Sequence, residues 1–157
     1  MKPGIGITDK NRQAVAIELA KLLADEYVLY TKTRNAHWNI EGPDFFEKHK
    51  FFESQFQQLD DMIDAVAERI RTLGHYTSSS LKSFLQITHL SEDAPEKNNS
   101  QAHIKALLSD HESITIHCRE NIHQVAIEYN DFGTSDFITG LMETHEKMAF
   151  FLRSHLK

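Results

Sequence analysis

The stretch that decides the fold reads HWNIEGPDFFEKHKFFESQFQQLDDMIDAVAER and occupies residues 37–69. From Asp44 onward, apolar residues recur at steps of three, four or seven, which is the spacing of one buried helix face. The members of this stripe are Phe45, Phe52, Phe56, Leu59, Ile63, Val66 and Ile70. The spacing predicts one long helix whose apolar stripe packs in the core of a helical bundle.

Four polar residues, His49, Glu53, Asp64 and Glu68, define a second face of this helix. At about 100° per residue they lie roughly 110° from the centre of the stripe, so they point away from their own core. His49 and Glu53 are four residues apart, and so are Asp64 and Glu68. The two residues of each pair therefore lie on the same side of the helix, one turn apart, where both side chains can bind the same metal ion.

The two pairs cannot share a metal with each other inside one chain. From Glu53 to Asp64 the helix rises on the order of 16 Å, at about 1.5 Å per residue. A two-fold dimer with antiparallel helices would set the histidine end of one chain against the carboxylate end of its partner. His37, at the end of the preceding helix, could reach the same site as His49. Two imidazoles with carboxylates suit iron or zinc better than calcium or magnesium.

The segment AHWNIEGP, the second histidine twelve residues after the first, the acid four residues later and the pattern DxxxER resemble the Dps family, the dodecameric mini-ferritins of bacteria. The resemblance implies a ferritin-like four-helix bundle and a ferroxidase centre at a two-fold dimer interface. The positions that match ligands in that family are His37, His49, Glu53, Asp64 and Glu68. Glu53 departs from the family pattern, because many members have Asp there.

The resemblance also implies an activity. Ferrous iron is oxidised with hydrogen peroxide, or with oxygen, and the ferric mineral is stored inside a hollow dodecamer, which protects the cell from oxidative damage. Zinc is a possible competitor for the iron site. Trp38 adjoins His37, and its ring is expected near the site, either as a sink for stray radical equivalents or as an amphipathic anchor at the interface.

The bulk properties agree with a single ferritin domain over residues 1–157. The formal net charge is -6, and the single cysteine, Cys118, excludes an internal disulfide. Cys118 falls on an apolar stripe, which favours a core position over a reactive thiol. The N-terminus lacks the apolar stretch of a secretory signal and no run approaches a membrane span, so we expect a cytoplasmic protein.

The remaining elements are predicted to be helices as well. A first helix begins near Thr8 or Asp9 and ends near Asn39, and a second ends near Leu73. A short extra helix is expected over residues 81–87, within the long connection between the second and third bundle helices. The third helix carries a buried stripe that includes His111. Thr134 is predicted to cap the fourth, which points Ile138, Leu141, His145, Met148 and Leu152 inward.

The segment DFGTSD resembles the start of the helix that lines the three-fold pores of Dps shells, through which ferrous ions enter. Asp136 is the first pore candidate, followed by Asp131 and Glu143. The alternative role for Asp136 is local, because an acid near the N-terminal end of a helix stabilises the helix dipole.

Two other functions compete with the storage shell. One is a nucleoid protein that binds DNA through basic tails. It is disfavoured because the terminal basic residues are only Lys2, Lys10, Arg12 and Lys157. The other is an intrachain di-metal enzyme built on E-x-x-H motifs. Glu120 and His123 form such a motif, but it occurs once where two copies are needed, so His123 is expected at the surface.

Overall fold

The computed structural model describes residues 3–156, and every regular element within them is an α-helix. The helices are α1 (Asp9–Asn39), α2 (Phe45–Thr72), α3 (Leu81–Ile87), α4 (Ser100–Ile127) and α5 (Phe132–Ser154). The predicted all-α bundle with a short extra helix in its long connection is confirmed. Lys2 and Lys157, two of the basic residues weighed for DNA binding, lie outside the described residues. No helix in residues 3–156 has both the length and the apolar character needed to cross a membrane.

The four long helices run up, down, down and up. Short turns, residues 40–44 and 128–131, join α1 to α2 and α4 to α5, so each pair is an antiparallel hairpin. The link between α2 and α4 travels back along the bundle. At its end the backbone N–H of Glu41 donates to the carbonyl of Asn98 at 2.9 Å, so α4 begins beside the start of α2.

Local capping chemistry fixes the helix ends. The Thr8 hydroxyl accepts a hydrogen bond from the backbone N–H of Asn11, as predicted for the start of α1. Gly74 ends α2 with a φ of 90°, a conformation that glycine adopts without a steric penalty. The predicted cap of the last helix was wrong. Asp131, not Thr134, is the N-cap of α5, and its carboxylate accepts from the Thr134 backbone N–H at 2.9 Å.

The apolar stripes form one continuous core. On α2 the residues Phe52, Leu59, Val66 and Ile70 are almost fully buried, and the five inward residues predicted on α5 are buried as well. The first member of the α2 stripe does not belong to the core, because Phe45 is 43% exposed. It occupies the first turn of α2, where its ring faces that of His49 at 5.2 Å.

Three polar residues lie at the centre of this core. The Nε2 atom of His145 lies 2.6 Å from Oε1 of Glu26, and its Nδ1 atom lies 2.9 Å from Nδ1 of His111. The three side chains come from α5, α1 and α4, and all are fully buried. This buried hydrogen-bond network fixes the relative register of the three helices, because a shift of any one helix would break one of its hydrogen bonds.

Candidate metal centre

Two histidines meet where α1 ends and α2 begins. The rings of His37 and His49 stack with their centroids 3.8 Å apart and their planes inclined by 22°. The Nδ1 atom of each ring lies 2.8 Å from the backbone carbonyl oxygen of the other residue. The turn around Gly42, whose φ of 133° suits glycine, brings the two helix ends together for this exchange.

This reciprocal pairing assigns the protons of both rings. A carbonyl oxygen only accepts, so each Nδ1 carries a hydrogen, and in the neutral form of each ring the lone pair is on Nε2. A histidine held through one nitrogen by a backbone carbonyl is the usual form of a metal ligand, since the tether fixes both tautomer and ring orientation. His37 and His49 therefore present two adjacent nitrogen donors before any metal is bound.

Glu53 lies one turn beyond His49 and is held by a neighbouring lysine. Lys50 Nζ donates to Glu53 Oε2 at 2.7 Å, and this hydrogen bond lowers the pKa of the Glu53 carboxyl. The Coulombic influence of His37 and His49 acts in the same direction. The carboxylate is thus kept ionised beside the imidazoles. Lys50 was not singled out from the sequence. A lysine and a glutamate three residues apart on a helix are nevertheless a common ion pair, and this spacing could have indicated it.

Asp64 and Glu68 remain apart from the histidines, further along α2. Both are exposed, and neither forms a hydrogen bond or an ion pair with the residues described by the structure. Within residues 3–156 of one chain, no three His, Cys, Asp or Glu side chains approach closely enough to hold a metal. The five predicted ligands thus fall into two groups along one chain, which we call the histidine half-site (His37, His49 and Glu53) and the carboxylate half-site (Asp64 and Glu68). Glu53 does not close on the two histidines to complete a three-ligand cluster, and metal binding by the five residues remains a prediction.

Aromatic rings and one arginine surround the histidine half-site. Trp38 is 62% exposed, and the Arg34 guanidinium carbon lies 4.9 Å from the centre of its indole ring. The same guanidinium lies 4.5 Å from the ring centre of Phe56, which meets His37 edge-on at 5.1 Å. Arg34 was not singled out from the sequence. Its signal was its spacing of four residues from Trp38, which places cation and indole on one face of α1.

The acids proposed for the pore differ in their surroundings. Asp131 is 2% exposed, caps α5 and lies 3.4 Å from Arg69 Nη2, so its carboxylate is engaged inside the chain. Asp136 and Glu143 are exposed on α5 and have no hydrogen bond or ion pair within the described part of the chain. These surroundings favour Asp136 and Glu143 over Asp131 as residues that meet an incoming cation.

The remaining candidates from the sequence take structural or surface positions. Glu120 and His123 are both exposed on α4, away from the buried chain of core histidines. Cys118 is 1% exposed, and burial raises the pKa of its thiol to about 12. The predicted core position of Cys118 is therefore confirmed, and the thiol is not poised for reaction.

Comparisons with known proteins agree with this geometry. A model of the ferritin-like domain matches residues 17–157. The DNA protection during starvation protein 2 of Bacillus anthracis is 32% identical over 146 residues, covering 93% of this chain and 98% of its own length. This chain belongs to the Dps family.

Two further proteins are similar to nearly the whole of this chain. An uncharacterized low temperature-induced protein of Nostoc sp. is 41% identical over 153 residues, covering 98% of this chain and 86% of its own. The crystal structure of a Dps protein from Vibrio cholerae, described as a member of a superfamily of ferritin-like diiron-carboxylate proteins, superposes with a TM-score of 0.92. It is 31% identical and covers 99% of this chain and 97% of its own.

Proposed function

We propose that this Dps-family protein is a ferroxidase that stores iron. Its substrate is ferrous iron, which His37, His49 and Glu53 of one chain bind together with the Asp64 and Glu68 positions of a second chain. The shell is a hollow dodecamer with these sites at two-fold interfaces, and the ferric mineral collects inside. The observation that carries the proposal is the reciprocal histidine pairing, because it leaves the Nε2 atoms of both rings for a metal at the turn between α1 and α2, and α2 also carries the unpartnered acids Asp64 and Glu68.

The donor set fits this substrate. Imidazole nitrogens bind ferrous iron well, while carboxylate oxygens stabilise the ferric product more than the ferrous ion, so oxidation becomes more favourable. Two ferrous ions give one electron each, and hydrogen peroxide accepts both. The O–O bond of the peroxide breaks and two hydroxide ions form. Because both electrons are delivered at one place, no hydroxyl radical is released, which is the protective effect.

The split ligand set requires two chains for each site. Antiparallel α2 helices across a two-fold axis would bring the histidine half-site of each chain to the carboxylate half-site of its mate. Phe46 is 70% exposed and Phe45 is 43% exposed beside the histidines, as expected for a surface that a second subunit covers. Trp38 shares this surface, so a role as an interface anchor is compatible with its stacking on Arg34.

The first experiment measures oxidation of ferrous iron by limiting peroxide without oxygen, for the native protein, Asp64→Ala and His49→Ala. Each substitution is expected to abolish the fast phase. Asp61→Ala is the matched control, because Asp61 is an exposed acid one turn from Asp64 that is not among the predicted ligands. A native rate equal to a protein-free blank would refute the ferroxidase.

Complementation tests whether each site is shared between chains. Refolding His49→Ala chains together with Asp64→Ala chains produces mixed dimers that hold one site with every ligand intact. The mixture is expected to regain about a quarter of native activity, since half of randomly formed dimers are mixed and each of those carries one intact site of two. Activity that stays at zero would point to a site within one chain, as would an active particle with the mass of one 18.1 kDa chain. A mass of two chains would contradict the dodecamer but not the shared site.

The second candidate is a DNA-binding stress protein, favoured by the similarity to the DNA protection during starvation protein 2 of Bacillus anthracis. The net charge of -6 opposes it, because affinity for DNA rests on lysine and arginine contacts with phosphates. A gel-shift assay at low salt distinguishes the two functions. Tight binding that weakens steeply with added salt would make DNA protection the primary role.

A further inference from the structure

A second pair of neighbouring histidine rings lies away from the candidate centre. His89 follows α3 in the long link and His117 lies on α4, and their ring centroids are 4.4 Å apart with an interplanar angle of 43°. The pair packs beside α1, where Asp25 and Glu18 are its acidic neighbours. Neither histidine belongs to the five predicted ligands.

A buried carboxylate orients His89. Asp25 is 1% exposed, and its Oδ1 atom accepts from the Thr88 hydroxyl at 2.6 Å and from the His89 backbone N–H at 2.7 Å. Its Oδ2 atom lies 3.2 Å from Nδ1 of His89. Nδ1 therefore carries a proton, and in the neutral form of the ring the lone pair is on Nε2. The His89 side chain is 45% exposed, so ions from solvent can reach this nitrogen.

His117 differs from His89, because the Asn121 amide lies against its ring. The Asn121 side-chain amide donates to the His117 carbonyl at 2.9 Å, and the same amide nitrogen lies 3.1 Å from Nε2 of His117. Because an amide nitrogen only donates, it faces an unprotonated ring nitrogen. Burial, followed by the Coulombic influence of His89, lowers the pKa of His117, so its ring is neutral near pH 7.

The charges around the pair attract a cation. Asp25 is a buried carboxylate held only by hydrogen bonds from Thr88 and His89. Glu18 also acts on His117, and its own partner is Lys21, whose Nζ lies 2.9 Å from Glu18 Oε1. Because Lys21 is paired with Glu18, the negative charge left beside the two histidines is that of Asp25. A carboxylate that holds a histidine from behind strengthens that histidine as a metal ligand.

We propose that His89 and His117 form a second metal site that binds one late first-row divalent cation, of the class of Cu²⁺ or Zn²⁺, through two imidazole nitrogens. His89 resembles His37 and His49 in being tethered through Nδ1 to an oxygen acceptor, which leaves its Nε2 atom for a metal. Such cations prefer imidazole, and water completes the coordination. Since no three side chains converge within the described part of the chain, the protein supplies two ligands and Asp25 acts as a positioning residue.

The test uses Cu²⁺ alone, in a His37→Gln/His49→Gln background that removes the histidines of the first site. We expect one Cu²⁺ per chain by calorimetric titration, with an electron paramagnetic resonance spectrum that shows two equivalent imidazole nitrogens. His89→Gln and His117→Gln are each expected to weaken binding at least tenfold and to remove the two-nitrogen signature. Asn121→Ala is expected to strengthen binding, because it frees Nε2 of His117.

His123→Gln is the matched control, since His123 is an exposed histidine on α4, and it should leave the titration unchanged. Circular dichroism melts verify that each variant folds. If His117→Gln does not fold, His89→Gln decides, because His89 lies in a link and is nearly half exposed. Equal Cu²⁺ affinity in the background and in His89→Gln would overturn the proposal, and so would the absence of binding at micromolar Cu²⁺.

Discussion

Lys50 Nζ lies 2.7 Å from Glu53 Oε2, so a lysine is paired with a predicted iron ligand. Coordination of iron by Glu53 has to displace this hydrogen bond. The lysine therefore acts in two opposite ways: it keeps the carboxyl ionised, and it competes with the metal for the same oxygen.

Lys50→Gln is expected to raise the affinity for ferrous iron roughly two- to fivefold near pH 7, since an exposed ion pair contributes modestly. The gain should shrink as the pH falls toward 4.5, because without Lys50 the pKa of Glu53 rises and protons compete with the metal. Anaerobic ferrous titrations at several pH values measure both effects. Lys48→Gln is the control, since Lys48 faces Asp44 and not a predicted ligand. An unchanged affinity in Lys50→Gln would show that Glu53 does not coordinate iron.

Replacing Glu26 by alanine should destabilise the bundle strongly. The change opens a cavity and leaves the Nε2 atom of His145 without its 2.6 Å partner in a fully buried position. Leaving a buried polar group without its hydrogen-bond partner costs about 1–3 kcal/mol, and the cavity adds to this loss. Thermal and denaturant unfolding of Glu26→Ala measure the loss. Glu120→Ala, at an exposed acid, should stay within about 0.5 kcal/mol of the native protein.

Acid should destabilise the protein through its buried histidines. Burial lowers the pKa of His103 in the folded chain below its ordinary value of 6.5. Below about pH 6.5 the unfolded chain therefore binds a proton at His103 more readily than the folded chain does. Stability is thus lost as the pH falls below about 6.5, by at most about 1.4 kcal/mol per pH unit for this group. His111 contributes in the same direction, because burial and then His145 lower its pKa.

His103→Leu is expected to flatten this pH dependence between pH 6.5 and 5. Denaturant midpoints measured across that range for the native protein, His103→Leu and the exposed-site variant His123→Gln provide the comparison. Equal slopes for all three proteins would contradict the assignment to His103.

Cys118 should resist thiol reagents in the folded protein. Its sulfur is buried and the pKa of its thiol is raised to about 12, so almost no thiolate exists at pH 8. A chromogenic disulfide reagent should label no thiol in the native protein and one per chain in denaturant. Rapid labelling of the native form would mean that α4 opens locally.

Substituting the two acids at the start of α5, Asp131 and Asp136, should affect different properties of the protein. Asp131→Ala removes a helix cap and should cost about 1–2 kcal/mol of unfolding free energy. Asp136→Ala should leave stability within about 0.5 kcal/mol, yet slow iron uptake, if exposed Asp136 lines an entry route. Unfolding curves and initial uptake rates distinguish the two variants. Equal uptake by native protein and Asp136→Ala would remove Asp136 from the pore.

Helix number, order and approximate ends were predictable from the sequence because they follow from local chemistry. The three- and four-residue periodicity defined the long helices, and Thr8, Gly74 and the short apolar run at residues 81–87 marked the ends and the extra helix. The pairing of His37 with His49 was also accessible, because a turn of a few residues forces the two helix ends together. The partner chain's ligands and the pore remain predictions.

What the sequence concealed depends on tertiary register. Glu26 occupies a stripe position on α1, between Leu22 and Leu29, yet only the packed bundle shows that it meets His145. Phe45 fitted the period but lies beyond the end of the core, so periodicity alone misplaced it. The cap of α5 was ambiguous because Asp131 and Thr134 are three residues apart and both are capping types; in the structure the threonine hydroxyl donates to the aspartate.

The distance between the two half-sites along α2 has a consequence for biosynthesis. Under the proposed function a newly made chain carries the histidine nitrogens near the start of α2 and the carboxylates further along it. Such a chain cannot oxidise iron until it pairs with a second copy of itself. One encounter then completes two centres at once. Catalysis is thereby conditional on the pairing of two chains, so no oxidising iron site exists on a single chain before assembly begins.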